Sequence, residues 1–271
     1  MRPEMFDKRN RFRVKAEARG VPSADVDRWL GAARPCATLA PRGDGPVVGR
    51  FGGPVALPAD VPELPEQMHL VATLDLGALP ADAMGLPLPP DGLLLLFARL
   101  HLDDVPGGAS GRVVYVPAGM PVEERSVGHG YEAAELRLAY DFSLPDNEVI
   151  IDPVAHPHAG ELRQAWSEVR QQDWCLLGGS HLQVDGYSTD PYGEDDPITA
   201  SALLAARRAG EPASGRADPW ERPRSEDWVL LAQWHGVGLV DGDVYWTIAR
   251  KDVAARRFDR AAVLGFFEGP G

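Results

Sequence analysis

The chain is expected to fold as α+β: a sheet-rich single domain built from two similar, interlocked halves with a few peripheral helices. Three observations lead there. The 271 residues include 29 Gly and 25 Pro. Proline usage is almost twice the ~5% of an average protein, and an internal proline costs a helix about 3 kcal/mol, so long helices cannot dominate. Short apolar runs recur between turn residues, the pattern of strands. Finally, the order of these signals runs through the chain twice.

The elements follow in order. Pro22-Ser23 starts a helix, with Ser23 as N-cap and Asp25 and Asp27 in the first turn, where negative charge meets the helix dipole. Val26, Trp29, Leu30 and Ala33 recur at helical spacing, and Pro35 ends the helix. Val47 to Phe51 precedes Gly52-Gly53, glycines that open backbone angles closed to other residues. His69 to Leu76 reads as a strand. Leu93 to Phe97 is a continuous apolar run, suited to burial on both faces. Val113 to Val116 is a further strand. From Ala134 to Tyr140, Leu136, Leu138 and Tyr140 face one way, and Glu135 and Arg137 the other. Ala159 to Gln172 is a second helix, with Leu162, Ala165, Trp166 and Val169 on one side. Pro197 to Ala209 is a third, with Leu203 and Leu204 inward. Residues 210–227 are rich in Pro, Gly, Ser, Arg and Glu and read as a mobile loop. Val229 to Trp234 and Val244 to Ala249 return to strands, and Asp252 to Arg257 forms a short helix.

Gly52-Gly53, a strand, Asp91-Gly92 and a strand come first; Gly178-Gly179, a strand, Asp241-Gly242 and a strand come second. The half-repeats span about 47–105 and 174–255, inside one domain of residues 22–271 that follows a basic arm, residues 1–21. The arm segment Arg2–Arg19 holds seven basic and three acidic residues, a local charge of +4, which leaves −17 for the remainder.

Composition narrows the function classes. A hydrophobic fraction of 44% and a charged fraction of 25% fit a folded core. With 40 Asp+Glu against 27 Lys+Arg, the net charge of −13 argues against nucleic acid as a partner and against an anionic membrane surface. No apolar run reaches the ~18 residues of a membrane span, and the basic N-terminus lacks the apolar core of a signal peptide. Two cysteines, Cys36 and Cys175, read as buried free thiols of a cytoplasmic protein, with a Cys36–Cys175 disulfide as the alternative.

No nucleotide-binding glycine loop and no zinc spacing of cysteines occurs. His156-Pro157-His158 offers two imidazoles without a third ligand. The acidic run Asp190 to Asp196 lacks the alternation of a calcium loop. Neither metal nor cofactor is expected, and no catalytic residue is assigned. The polar cluster worth following is Ser180, His181, Gln183, Gln233, His235 and Asp241, at strand ends and turns of the second half. Its types suit a ligand cleft or a buried hydrogen-bonded network in which Gln183 and Gln233 hold loop backbone. Ser180 and His181, as neighbours on a strand, point to opposite faces, which argues against a direct nucleophile–base pair. Trp220 in the polar loop is the candidate anchor for a partner.

Arg50-Phe51-Gly52-Gly53, Leu74-Asp75-Leu76, Asp91-Gly92-Leu93, Leu177-Gly178-Gly179 with Gln183, Leu230-Leu231-Ala232-Gln233, Asp241-Gly242 and Lys251-Asp252-Val253 stand in an order that resembles the YwqG-like family of bacterial proteins. The likeness runs from about Ala24 to the C-terminus. Ser180-His181 stand where that family often has Tyr-Pro, and Trp234-His235 where it often has an acidic pair. The resemblance implies a duplicated α+β fold, cytoplasmic, of unassigned chemistry, with relatives near toxin–immunity loci. With no catalytic constellation, an acidic body and a family of unassigned chemistry, the expected function is a non-enzymatic protein-binding factor of immunity or adaptor type. The alternative is a small-ligand binder or enzyme using a cleft around His181, Gln183, Gln233 and His235.

Overall fold

A computed structural model of the chain describes residues 3–65, 67–99, 111–125, 132–147, 150–177, 179–189, 196–208, 227–236 and 242–267. Two helices come first, α1 (Pro3–Ala18) and α2 (Ser23–Gly31). Eight strands follow: β1 (Arg34–Ala40), β2 (Val47–Phe51), β3 (Val55–Leu57), β4 (His69–Asp75), β5 (Leu93–Ala98), β6 (Gly111–Val116), β7 (Glu123–Arg125) and β8 (Ala134–Ser143). Then come α3 (Ala159–Leu177), β9 (His181–Val184), α4 (Pro197–Arg208), β10 (Trp228–His235), β11 (Gly242–Ala249), α5 (Arg250–Ala254) and β12 (Ala262–Phe267).

Ten strands form one antiparallel sheet in the order β12-β11-β10-β9-β1-β8-β2-β4-β5-β6, and β3 and β7 make a separate ribbon. β1 and β8 lie at the centre, paired over seven residues from Arg34↔Ser143 to Ala40↔Arg137. The sheet curls until it is nearly closed. A side chain added at Gly111 on edge strand β6 would lie 2.6 Å from Val263 on the other edge strand, β12. Trp246 donates its indole N–H to the Phe97 carbonyl at 3.0 Å. Closure hides edges that would otherwise recruit other chains.

Strand alternation separates two kinds of surface. Leu39, Leu74, Leu94, Leu96, Leu136, Leu182, Val184, Trp234 and Trp246, drawn from strands across the whole sheet, form one buried cluster. Each large side chain so buried contributes about 1.5–3 kcal/mol. A second cluster joins Phe12 of α1, Trp29 and Leu30 of α2, and Trp166 and Val169 of α3 to Phe142 of β8. A third lies among Val55, Leu57, Leu95, Phe97 and Val114.

Several expectations are corrected. Pro22, not Ser23, occupies the N-cap of α2; its carbonyl accepts from Val26 N, while the Ser23 hydroxyl reaches Glu17. Pro35 lies inside β1, four residues after that helix ends, at a position where β1 has β8 beside it but β9 pairs only Ala37–Leu39. Proline tolerates such edge positions. In α4 the buried stripe is Ile198, Ser201 and Ala202, whereas Leu203 is exposed. Cys36 is buried but Cys175 is exposed, and both thiols are free. Gly52-Gly53 follow β2 with φ of 49° and 80°, and Gly179, which precedes β9, has a φ of 99°, so these three glycines hold the backbone angles expected of them. After β9 the positive φ angles belong to Asp185 and Gly186, at 67° and 88°. Asp185 carries that conformation with its Oδ2 accepting the Gly85 N–H at 2.6 Å. Gly178, Trp220, the 210–226 portion of the polar loop and the acidic residues 190–195 lie outside the described residues.

Gly111 marks the seam, since an added Cβ would also approach the Phe97 carbonyl to 2.3 Å. Gly111→Val is therefore expected to lower stability by about 1–3 kcal/mol in urea unfolding.

Candidate functional site

β9 and β10 pair in a register that sets His235 opposite His181 and Gln233 opposite Gln183. Side chains two apart share a face, so these four stand together while Leu182, Val184 and Trp234 join the main core. The rows continue on neighbouring strands. Thr38 of β1 is opposite Gln183, Asp243 of β11 opposite His235, and Tyr245 opposite Gln233. One polar layer thus crosses four strands.

The glutamines are structural. Gln183 Nε2 donates to the carbonyls of Asp185 and Tyr187 at 2.9 and 2.8 Å. Gln233 Oε1 accepts from Thr189 N at 3.0 Å, its Nε2 donates to the Thr189 hydroxyl, and the Tyr245 hydroxyl donates to the Thr189 carbonyl. Buried amides at 9% and 0% exposure thereby hold segment 185–189 on the sheet.

The histidines form a different unit. Their rings stack at 4.7 Å with 23° between planes, and Trp174 of α3 packs against both, at 5.4 and 4.8 Å. His181 Nδ1 lies 3.0 Å from the Gly179 carbonyl, and His235 Nδ1 lies 2.8 Å from Asp243 Oδ1. Each acceptor fixes Nδ1 as a donor. The 3.3 Å approach of Gln233 Nε2 to His235 Nδ1 then brings two donors together and is a packing contact. Burial, and second the charge of His235, hold the His181 imidazole neutral, with its pKa pushed down to about 3. Among the described residues no group of three His, Cys, Asp or Glu is arranged to hold a metal ion.

Beside the pair is a cavity of about 20 Å³ bounded by Asp141, Trp174, His181, Gln183 and His235 among others. That is room for one water, far below the ~300–1,000 Å³ of a small-molecule pocket. The lid is helical: α3 supplies Trp174 and Asp173, and α1 supplies Lys8. Lys8, 7% exposed, sets its ammonium 2.7 Å from Asp141 and 3.1 Å from Asp173. Burial alone would lower the Lys8 pKa, but the two carboxylates outweigh it and raise the value, so the group stays charged. Cys36 is also near; burial pushes its thiol pKa well up, which removes the thiolate needed for nucleophilic work.

Of the sequence candidates, His181, Gln183, Gln233 and His235 are brought together. Ser180 stands just before β9, its hydroxyl accepting from the Trp234 indole at 2.6 Å. Asp241 lies outside the described residues. Sequence reasoning missed Lys8, Thr38, Asp141, Asp173, Trp174 and Asp243. One signal was present for Lys8: it is one of only three lysines among 27 basic residues.

The depressed His181 pKa makes the stability of the fold depend on pH. The unfolded imidazole titrates near pH 6.5 and the folded one near 3, so the unfolded state binds the extra proton between those values. This contribution is full above about pH 6.5 and is lost as pH falls towards 3. His181→Phe is expected to flatten the stability–pH curve in that window by up to about 1.4 kcal/mol per pH unit, read from urea midpoints.

No curated protein matches the chain. A family model does, that of a domain of unknown function, DUF1963, over residues 49–264. The matched span starts in β2 and ends in β12, so it takes in β9, β10 and β11 with the stacked histidines but leaves Lys8 and Thr38 before it. With most of its length matched, the chain belongs to the DUF1963 family.

Proposed function

We propose that the chain is a cytoplasmic bacterial protein of the YwqG-like kind that binds another protein, in the manner of an immunity or adaptor factor, and does not catalyse a reaction. The observation that carries this reading is the filled centre. Apolar side chains occupy the inner face of the sheet, the glutamines are committed to loop backbone, and the cavity at the histidines admits about one water. A net charge of −13 supports a basic partner surface, which it would steer and orient.

The two flanks of the sheet are copies of one unit, a reading supported by their registers. Arg50 pairs Thr73 between β2 and β4 as Gln183 pairs Gln233 between β9 and β10. Bulges fall at Leu70/Ala72 in β4 and at Leu230/Ala232 in β10.

One observation favours a second reading, a small-ligand binder or enzyme: the Asp243–His235 contact at 2.8 Å, which orients an imidazole as a general base requires. That reading needs α1 and α3 to move.

The test is affinity capture on the full chain from its native cytoplasm, followed by reconstitution with the purified partner. A one-to-one complex whose association slows about tenfold or more between low and physiological salt is the expected result. A stoichiometric small molecule retained by the purified chain, lost in His235→Phe, would replace it with the second reading.

A further inference from the structure

The Lys8 ammonium sits in surroundings built by other elements. Its Nζ lies 2.8 and 2.7 Å from the two carboxylate oxygens of Asp141 and 3.1 Å from Asp173 Oδ2. Three N–H donors thus meet three carboxylate oxygens. The same nitrogen lies 4.9 Å from the centre of the Trp166 ring and 5.8 Å from that of Phe142, within cation–π range. Two carboxylates and two aromatic faces make a receptor for a compact primary ammonium, not for a wide planar guanidinium.

This receptor is organised without help from Lys8. Asp141 Oδ2 accepts from the Thr38 hydroxyl at 3.0 Å, and its Oδ1 from Phe142 N at 2.7 Å. Phe142 and Trp166 stack on each other at 5.4 Å with 29° between planes. The walls therefore belong to β1, β8 and α3, while α1 supplies the occupant, an Arg11 pair to Asp173 at 2.7 Å and the Phe12 ring against Trp166. Apolar burial and charge both hold the helix in place. It buries Phe12 and Ala16, and its other links include ion pairs of Arg11 with Asp173, Arg13 with Asp27 and Lys15 with Glu168, whose side chains keep some exposure. Pairs with such exposure hold weakly and are screened by salt. Helix α1 also precedes the span shared with the family.

We propose that the pocket of Thr38, Asp141, Phe142, Trp166 and Asp173 is a binding site for a primary alkylammonium group, filled in cis by Lys8 when α1 is docked and open to a lysine side chain or a polyamine from outside when it is not. The site stands on its own geometry, and its test needs no protein partner, so it survives or fails separately from the binding role above.

Lys8→Ala in the full chain leaves an ammonium-sized vacancy. Titration with n-butylammonium chloride is expected to raise the Tm of Lys8→Ala by roughly 3 °C or more once the amine exceeds its dissociation constant about tenfold. Tetramethylammonium at equal ionic strength, which has no N–H to donate, is expected to shift it by less than about 1 °C, as is n-butylammonium with the wild type or with Lys8→Ala/Asp141→Asn. Equal shifts across the proteins or across the two salts overturn the site. If Lys8→Ala does not fold alone, the same salts are added during refolding. Selective recovery with n-butylammonium supports the site, and no recovery overturns it. Spermidine against Nα-acetyl-lysine methylamide then separates the sources: whichever rescues at lower concentration names the occupant, and failure of both overturns the assignment.

Discussion

Pairing between β1 and β8 is the contact on which the sheet depends. β1 precedes the first meander in the chain, yet its other neighbour is β9 of the last one; β8 follows the first meander and closes against β2. The seven-residue ladder from Arg34↔Ser143 to Ala40↔Arg137 therefore fastens two four-stranded curls into one nearly closed surface. Without it, each curl would present half of a shared core to water. Leu39 and Leu182 on one side and Leu136 and Leu74 on the other belong to one buried cluster, and their burial is worth having only when both flanks are in place.

The same ladder brings chemistry to the opposite face. Thr38 and Asp141 stand on β1 and β8 and hydrogen-bond to each other, and next to them the polar layer runs through Gln183 and Gln233 to Tyr245. Buried polar groups are costly unless paired, and each is answered: glutamine by loop backbone, histidine Nδ1 by a carbonyl or a carboxylate, lysine by two carboxylates. A layer satisfied in this way specifies one arrangement of the covering helices. Charge fixes where α1 goes, and Phe12 packing edge-on against Trp166 completes the fit.

The parts of this arrangement legible in the sequence were those whose signal is local. His69–Asp75 and Leu93–Ala98 are apolar runs that need no partner to be recognised as strands, and α3 shows its Leu162, Ala165, Trp166, Val169 stripe in one stretch. β1 was invisible because Pro35 and the small residues of Cys-Ala-Thr-Leu-Ala carry little strand signal, although it sits at the centre of the sheet. At the site, His181, Gln183, Gln233 and His235 were recognisable because the polar residues interrupt apolar strands. Lys8 and Asp141 were not, since 133 residues separate them and nothing in either segment points to the other. Asp243 gained its meaning only from the register that places it across from His235.

The strand order also dictates a timetable for synthesis. β1 leaves the ribosome before either of its partners: Ser143–Arg137 and His181–Val184 emerge about a hundred and a hundred and fifty residues after it. Through that interval the first meander has only its own hairpins to hold it, and the edge that β8 will cover stays bare. Such long-range closures are slow to form and leave nascent chains open to wrong pairings. In that interval the N-terminal segment carries a local charge of +4 against an acidic remainder, so each newly made acidic stretch is a provisional counterion for it until Asp141 and Asp173 arrive.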